Sequence, residues 1–222
     1  MSKISELLFP SRCVICDSAG SQFCKACNTS ITRNFKAAEI SGIKLSAGAL
    51  YGDLLSQLIL MAKEENISAA RNVLVDLLVD AYVKLDVSGE VSNHLALIPI
   101  PSSRSANRKR GYRHSYLLAR GARNRMHVST NQKVEVVELL RVNRKISDMS
   151  ALSREDRVTN IRGAYSITPL RREWIAQGKM VVLLDDLTTT GSSIGEAVRC
   201  LREAKIQPFA AISAGVSPHL IS

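Results

Sequence analysis

No apolar run in this 222-residue chain approaches the roughly 18 residues that a membrane-spanning helix needs. Residues 1–10 carry a short apolar patch but no long apolar region and no small-residue cleavage site, so a secretory signal is not expected. The 45% hydrophobic and 23% charged residues are ordinary for a globular protein with one main domain. We therefore expect a cytoplasmic protein without a membrane span.

Acidic residues are missing from Pro101 to Val134, whereas the whole chain has a net charge of +10. A solvated helix face usually mixes charges of both signs, so an unbroken basic run predicts a surface for polyanions. A diphosphate ligand and a nucleic acid both remain candidates. Only Tyr112 and Tyr116 lie between the cations, which offers little base stacking for single-stranded nucleic acid. The cations are Arg104, Arg108, Lys109, Arg110, Arg113, Arg120, Arg123, Arg125 and Lys133.

Cysteine is concentrated in one short segment, where Cys13, Cys16, Cys24 and Cys27 form two Cys-x-x-Cys pairs. Four thiolates can converge tetrahedrally on one Zn²⁺ and leave no open coordination position, which indicates a structural metal. A cytoplasmic chain disfavours the alternative of disulfides, and a redox pair needs only one Cys-x-x-Cys. We predict a zinc module at 1–35, folded by its metal, and a second domain at 36–222.

The most informative segment runs from Val181 to Ser193. Apolar residues up to Leu184 predict a buried parallel strand, and Asp185 and Asp186 follow it. The next residues form a hydroxyl-rich loop before a predicted helix, where backbone N–H groups and the helix dipole can hold a phosphate. The segment is not a P-loop, because no Gly-Lys-Ser/Thr follows the strand. Taken singly, its parts also fit a metal site or an ordinary helix cap.

Apolar periodicity predicts strands at 44–50, 94–100, 133–140, 179–184 and 208–215, and helices at 53–61, 69–85, 112–126 and 194–204. Strands that alternate with helices imply βαβ units and a parallel sheet. Ligands of such sheets bind outside the carboxyl ends of the strands. We therefore expect residues 101–111, the segment after 140 and residues 185–193 to surround one crevice.

The segment 181–193 resembles the phosphoribosyl diphosphate (PRPP) binding motif of type I phosphoribosyltransferases. Nearly the whole chain resembles the ComF family, bacterial phosphoribosyltransferase-like proteins with an N-terminal zinc ribbon. The resemblance depends on the order of several pieces, none of them specific alone apart from the PRPP motif. They are the four cysteines, Tyr51-Gly52-Asp53, Ile98-Pro99-Ile100-Pro101 with Arg104, Arg108-Lys109-Arg110-Gly111-Tyr112, Leu152-Ser153-Arg154 and Asn160-Ile161-Arg162-Gly163-Ala164-Tyr165.

The resemblance implies a type I phosphoribosyltransferase-like open parallel sheet with flanking helices, plus the zinc module. Asp185 and Asp186 would be the catalytic pair that contacts the ribose hydroxyls, while Pro101, Ser102 and Arg104 would face the pyrophosphate. Mg²⁺ would bridge pyrophosphate and ribose oxygens. A mobile loop around 144–162 would close over the ligand. The implied substrate-binding set is completed by Arg110, Thr188, Thr189, Thr190, Gly191, Ser192 and Ser193.

Two functions follow from the resemblance. The first is Mg²⁺-dependent transfer of a 5-phosphoribosyl group from PRPP to an acceptor nitrogen. The second is a non-catalytic ligand sensor, or a competence factor that handles incoming single-stranded DNA. Arg113 and His114 stand where the family often has Asn-Gln, and Met149 or Asp148 stands where Gln is common. A lone helical histidine such as His114 is more often structural than a general base.

Overall fold

The computed structural model describes residues 11–33, 38–85, 92–129, 132–143, 161–169, 176 and 178–221. The strands are β1 (Ala38–Ile40), β2 (Ile43–Leu50), β3 (His94–Pro99), β4 (Lys133–Val136), β5 (Leu140–Val142), β6 (Tyr165–Ile167), β7 (Met180–Thr188) and β8 (Ala210–Val216). The α-helices are α1 (Lys25–Thr29), α2 (Asp53–Lys63), α3 (Ser68–Lys84), α4 (Arg104–Arg110), α5 (His114–Ser129) and α6 (Ser192–Glu203). A 3₁₀ turn follows at Pro218–Leu220.

Six strands form one sheet in the order β1-β2-β8-β7-β3-β4, and β5 pairs with β6 in a separate hairpin. Every neighbouring pair in the larger sheet is parallel except β1 with β2. The α/β prediction with a mostly parallel sheet and flanking helices is therefore confirmed. Among the described residues, no helix is long and apolar enough to cross a membrane.

Helices cover both faces of the sheet, as the strand pattern requires. Val182 and Leu184 of β7 belong to a first core cluster with residues of α2, α3 and α5. Val181 and Leu183 point to the other face and join a second core cluster with residues of α6. Because successive side chains of a strand alternate between faces, the continuous apolar run predicted here is a strand buried on both sides.

Three predicted elements differ from the structure. The strand predicted at 133–140 stops at Val136, and Leu140 begins β5 in the separate hairpin. The basic helix predicted at 112–126 begins two residues later, as α5, and residues 104–110, where no helix was predicted, form α4. Gly111 adopts φ +77° and ends α4 as a left-handed cap. Strand β7 is longer than the predicted 179–184, since its pairing with β8 continues to Thr188. Its pairing with β3 ends earlier, at Leu184. The two neighbours of β7 therefore separate at its carboxyl end.

Residues 11–33 pack against the main domain. Val14, Ile15 and Phe23 contact the first core cluster, and Ile31 is buried within it. The Thr32 carbonyl accepts a 2.8 Å hydrogen bond from the Leu50 amide, which continues the attachment into β2. The cysteine segment thus packs against the same core cluster as α2 and α3.

Candidate functional site

A crevice opens where β3 and β7 part. Their ladder ends at the pair Pro99 and Leu184, and a last 2.8 Å bond joins the Ile100 amide to the Leu184 carbonyl. From β3 the chain passes through α5 to β4, and from β7 it passes through α6 to β8, in opposite directions along the sheet. Parallel sheets bind ligands at such reversal points. Of the three segments predicted to surround one crevice, 101–111 and 185–193 follow the carboxyl ends of adjacent strands. The third, the segment after 140, lines a cavity with Pro101, Ser102 and Arg104, and no residue of 185–193 lines that cavity.

The hydroxyl-rich loop leads directly into α6. Gly191 is the N-cap with φ +76° and has no side chain to cap the helix, while the Ser192 N–H donates to Thr190 Oγ1 at 3.4 Å. The first N–H groups of a helix lack intrahelical partners, so they are available to an anion. Hydroxyl groups of Thr190 and Ser192 lie 2.7 Å apart at this point. Thr188 is buried, and within the described residues its Oγ1 has no hydrogen-bond partner.

Ile40 of β1 covers the turn at Gly191. A Cβ added to Gly191 would lie 2.7 Å from Ile40 Cδ1. A cavity of about 400 Å³ adjoins this turn. Its lining combines the loop with α6, the β1–β2 turn and the residues before β6, including Ser41, Arg162, Thr190, Ser192, Glu196 and Arg199.

We expect Gly191→Ala to lower the free energy of unfolding by about 2 kcal/mol, because a non-glycine residue at positive φ costs about 1–2 kcal/mol and Ile40 must also move. Gly178→Ala is the matched control, since Gly178 has φ +71° but no atom near its added Cβ. Chemical denaturation measures both. Removing Ile40 in Gly191→Ala/Ile40→Ala should recover the steric part, and equal losses in the two single variants would contradict the contact.

A second cavity, of about 390 Å³, lies at the end of β3. Pro101, Ser102 and Arg104 line it, as do Arg113 and Tyr116 of the following segment. The Arg113 guanidinium stacks over the Tyr116 ring at 4.6 Å and pairs with Glu138 at 2.5 Å. Neither Asp185 nor Asp186 lines either cavity. The acidic pair instead belongs to the strand end that lies between the Pro101 segment and the hydroxyl-rich loop.

The two carboxylates of the acidic pair have different surroundings. Each Oδ1 accepts the N–H of the next residue, at 2.9 Å for Asp185 and 2.8 Å for Asp186. The Oδ2 of Asp186 also receives the Lys63 ammonium at 2.9 Å and lies 3.4 Å from His114 Nε2. Asp186 is 6% exposed and His114 is fully buried, whereas Asp185 is half-buried.

These surroundings move the two pKa values in opposite directions. Burial alone would raise the pKa of Asp186, but the Lys63 ammonium and His114 outweigh it and hold that pKa below its usual range. Burial raises the pKa of Asp185 well above its usual range, and the neighbouring Asp186 charge adds to the effect. The strand end therefore holds one fixed anion and one carboxyl group that ionises reluctantly.

Arg110 pairs with the residue that follows α2. Its guanidinium bonds Glu64 Oε1 from Nε at 3.0 Å and from Nη2 at 2.8 Å. The Tyr112 hydroxyl donates toward two carbonyl oxygens, that of Lys63 at 2.7 Å and that of Ala62 at 3.0 Å. Residues 110–114 thus hold the end of α2 and direct Lys63 to Asp186. Sequence reasoning missed Lys63, because a cation in the last turn of a helix is already explained by the helix dipole.

Glu196 and Tyr165 are also site residues that the sequence analysis missed. The buried Glu196 accepts the Tyr165 N–H at 3.1 Å and pairs with Arg199 Nε at 2.8 Å. Burial raises the pKa of the Tyr165 hydroxyl, the Asp185 charge adds to the rise, and Ser193 offsets part of it. These contacts attach β6 to the helix that follows the loop. Residues 144–160 of the predicted mobile loop, including Asp148 and Met149, lie outside the described residues.

The four predicted metal ligands converge. The sulfur atoms of Cys13, Cys16, Cys24 and Cys27 all lie within 4.8 Å of one another, and Cys16 and Cys24 are 3.6 Å apart. A tetrahedral zinc with bonds of about 2.3 Å separates its sulfurs by about 3.8 Å, so the cluster fits structural Zn²⁺.

Burial and backbone hydrogen bonds shift the pKa values of thiols in this cluster. Burial would raise the pKa of Cys13, but backbone N–H groups, including that of Cys24 at 3.4 Å, lower it to about 6. Burial raises the pKa of Cys27 to about 12, so this thiol needs the metal to lose its proton. Cys200, the fifth cysteine, is buried in the second core cluster.

In comparisons with protein-family models and with curated proteins, this chain has no match. The functional interpretation therefore depends on the geometry of the crevice and on the chemistry of its residues.

Proposed function

We propose that the crevice binds PRPP, or a closely related 5-phosphoribosyl ligand, together with Mg²⁺. The observation that carries the proposal is the layout of β7 and α6. A half-buried carboxylate at Asp185 stands three residues before a hydroxyl-rich turn that ends in an uncapped helix N-terminus. The turn suits a 5′-phosphate, and the carboxylate suits the hydroxyl groups of the attached ribose.

The opposite wall of the crevice supports the diphosphate end of the ligand. Ser102 and Arg104 follow the carboxyl end of β3, which adjoins β7 in the sheet. Arg104 is exposed and forms no ion pair among the described residues, so its guanidinium can meet a diphosphate. When bound with the diphosphate, Mg²⁺ supplies neutralisation of its negative charge.

The same layout can serve group transfer. In that reaction the bond from the ribose C1 to the pyrophosphate oxygen breaks, and pyrophosphate leaves with the electron pair. A bond forms from C1 to an acceptor nitrogen, which releases its proton. Charge then develops on the leaving pyrophosphate, and Arg104 is placed to stabilise it. We propose PRPP binding as the function, and transfer to an acceptor as the reaction of the bound ligand.

A general platform for nucleic acid is less well supported by the basic segment. Three of its arginines are engaged by carboxylates from elsewhere in the fold. Arg110 pairs with Glu64, Arg113 with Glu138, and Arg125 with Asp76. Six cations of the segment remain, of which Arg120, Arg123 and Lys133 lie on α5 and β4. The other three, Arg104, Arg108 and Lys109, cluster on the short helix α4 that follows β3, and this cluster matches a compact anion better than a long phosphate backbone.

Isothermal titration calorimetry with PRPP tests the proposal. We expect wild type to bind one PRPP per chain with Mg²⁺ present, and to bind ribose 5-phosphate more weakly because it lacks the diphosphate. Asp53→Asn is a control, since Asp53 is exposed at the start of α2. A wild-type protein that binds neither ligand, with or without Mg²⁺, would refute the proposal.

A further inference from the structure

We propose that Lys63 is a positioning residue of the PRPP site, which neutralises Asp186 and leaves Asp185 as the carboxylate that faces the ligand. This inference rests on the binding function proposed above and assigns separate tasks to two adjacent acidic residues. Lys63 acts through Asp186 and does not itself contact the ligand.

The contacts of the two carboxylates carry the inference. Both oxygens of Asp186 are occupied, Oδ1 by the Leu187 N–H and Oδ2 by the Lys63 ammonium at 2.9 Å, with His114 nearby. For Asp185, Oδ1 accepts the Asp186 N–H, and Oδ2 has no cation or N–H partner among the described residues. Only Asp185 therefore has a free oxygen with which to accept hydrogen bonds from sugar hydroxyls.

Strand geometry supports the same division. Asp186 continues the alternation of Val182 and Leu184, which face α2, α3 and α5. Asp185 continues that of Val181 and Leu183, which face α6 and the hydroxyl-rich loop that precedes it. The carboxylate on the loop side is thus the one without a cationic partner.

Residues 110–112 hold the backbone around Lys63 in place. Tyr112 bonds the Lys63 carbonyl, and Arg110 grips the side chain of the next residue, Glu64. The Asp186 charge raises the pKa of Lys63, so its ammonium remains protonated beside the carboxylate. The Lys63 side chain is therefore held at its backbone by Tyr112 and at its ammonium by Asp186, which leaves it little freedom to reach a ligand.

The charge balance explains why a phosphate site needs this lysine. PRPP is a multiply charged anion, and an uncompensated Asp186 beside Asp185 would repel it. We expect Lys63→Met to weaken Mg²⁺–PRPP binding at least about tenfold, which corresponds to about 1.4 kcal/mol. If Lys63 works by neutralising Asp186, removing both charges should restore most of the lost affinity.

A double-mutant cycle tests this prediction by calorimetry with Mg²⁺–PRPP. It compares wild type, Lys63→Met, Asp186→Asn and Lys63→Met/Asp186→Asn, with Lys44→Met as the control for loss of an exposed positive charge. The expected result is tighter binding by the double variant than by Lys63→Met. A Lys63→Met protein that fails to fold while the double variant folds and binds would also support the charge-balancing role.

Three results would count against the proposal. Equal binding by wild type and Lys63→Met would show that Asp186 needs no neutralisation. A double variant as weak as Lys63→Met would indicate that Lys63 contacts the ligand directly. Absence of binding by wild type would overturn the PRPP site itself, so the two failures are distinguishable.

Discussion

Removing zinc from this protein is expected to unfold residues 11–33 and to lower the melting temperature of the whole chain. Structural zinc sites of this kind contribute about 10–16 kcal/mol of apparent binding free energy, most of which is folding free energy of the segment. The segment has few apolar contacts of its own, and Val14, Ile15 and Phe23 pack outward against the first core cluster. Their release would expose apolar surface on the main domain as well.

Cys13→Ser should reproduce the effect of a chelator. Cys13 is 3% exposed, and its sulfur accepts the Cys24 N–H across the cluster. Metal analysis of purified protein and thermal unfolding with and without chelator provide the measurements. Cys200→Ser is the matched control, because it alters a buried cysteine far from the cluster and should keep zinc. Wild type that carries less than about one zinc per chain, and a melting temperature indifferent to chelator, would contradict the structural site.

Local spacing explains why the cysteine cluster and the sheet were predictable. Two Cys-x-x-Cys pairs fix their sulfurs through backbone turns, at Asp17 with φ +58° and at Gly20 with φ +115°. The strands β3, β7 and β8 are short apolar runs bounded by turn-forming residues. Such runs can be recognised from the local sequence alone. A feature that depends on neighbours within a few residues can be predicted from sequence.

The partners of the acidic pair were not predictable in this way. Lys63 and Asp186 are 123 residues apart in sequence, and nothing in the α2 pattern distinguishes this lysine from a solvated one. Arg110 was expected at the ligand, and its pairing with Glu64 at the end of α2 was not foreseen from the sequence. Charge pairing across the fold depends on which side chains the packing brings within reach, and composition does not show this.

The fold favours the ionised form of Asp186 and disfavours the ionised form of Asp185. The folded pKa of Asp186 is depressed, so its contribution to stability is present above the ordinary value of about 4 and is lost as pH falls below it. The folded pKa of Asp185 is raised, so its contribution is present in acid and is lost as pH rises through that raised value. Because Asp185 resists ionisation beside the hydroxyl-rich loop, its charged form costs stability at neutral pH.

Replacing the two acids separately should therefore shift stability in opposite directions at pH 7. We expect Asp185→Asn to raise the free energy of unfolding by about 1 kcal/mol and to weaken Mg²⁺–PRPP binding at least about tenfold, because a free ligand-facing carboxylate is lost. We expect Asp186→Asn to lower the free energy of unfolding by about 2 kcal/mol, because the Lys63 ammonium loses its anionic partner. Lys63 is 31% exposed, which moderates this loss.

Thermal unfolding at pH 7 measures the sign of each change, at about 2–4 °C per kcal/mol for a chain of this size. The dependence of stability on pH in acid is the second measurement. The free energy of unfolding of wild type should decrease as pH falls below about 4, because Asp186 takes up a proton there. In Asp186→Asn this decrease should be smaller. Asp185→Asn should keep it. Shifts of the same sign in both variants, or an undiminished decrease in acid for Asp186→Asn, would show that Lys63 and His114 do not hold Asp186 as a buried anion.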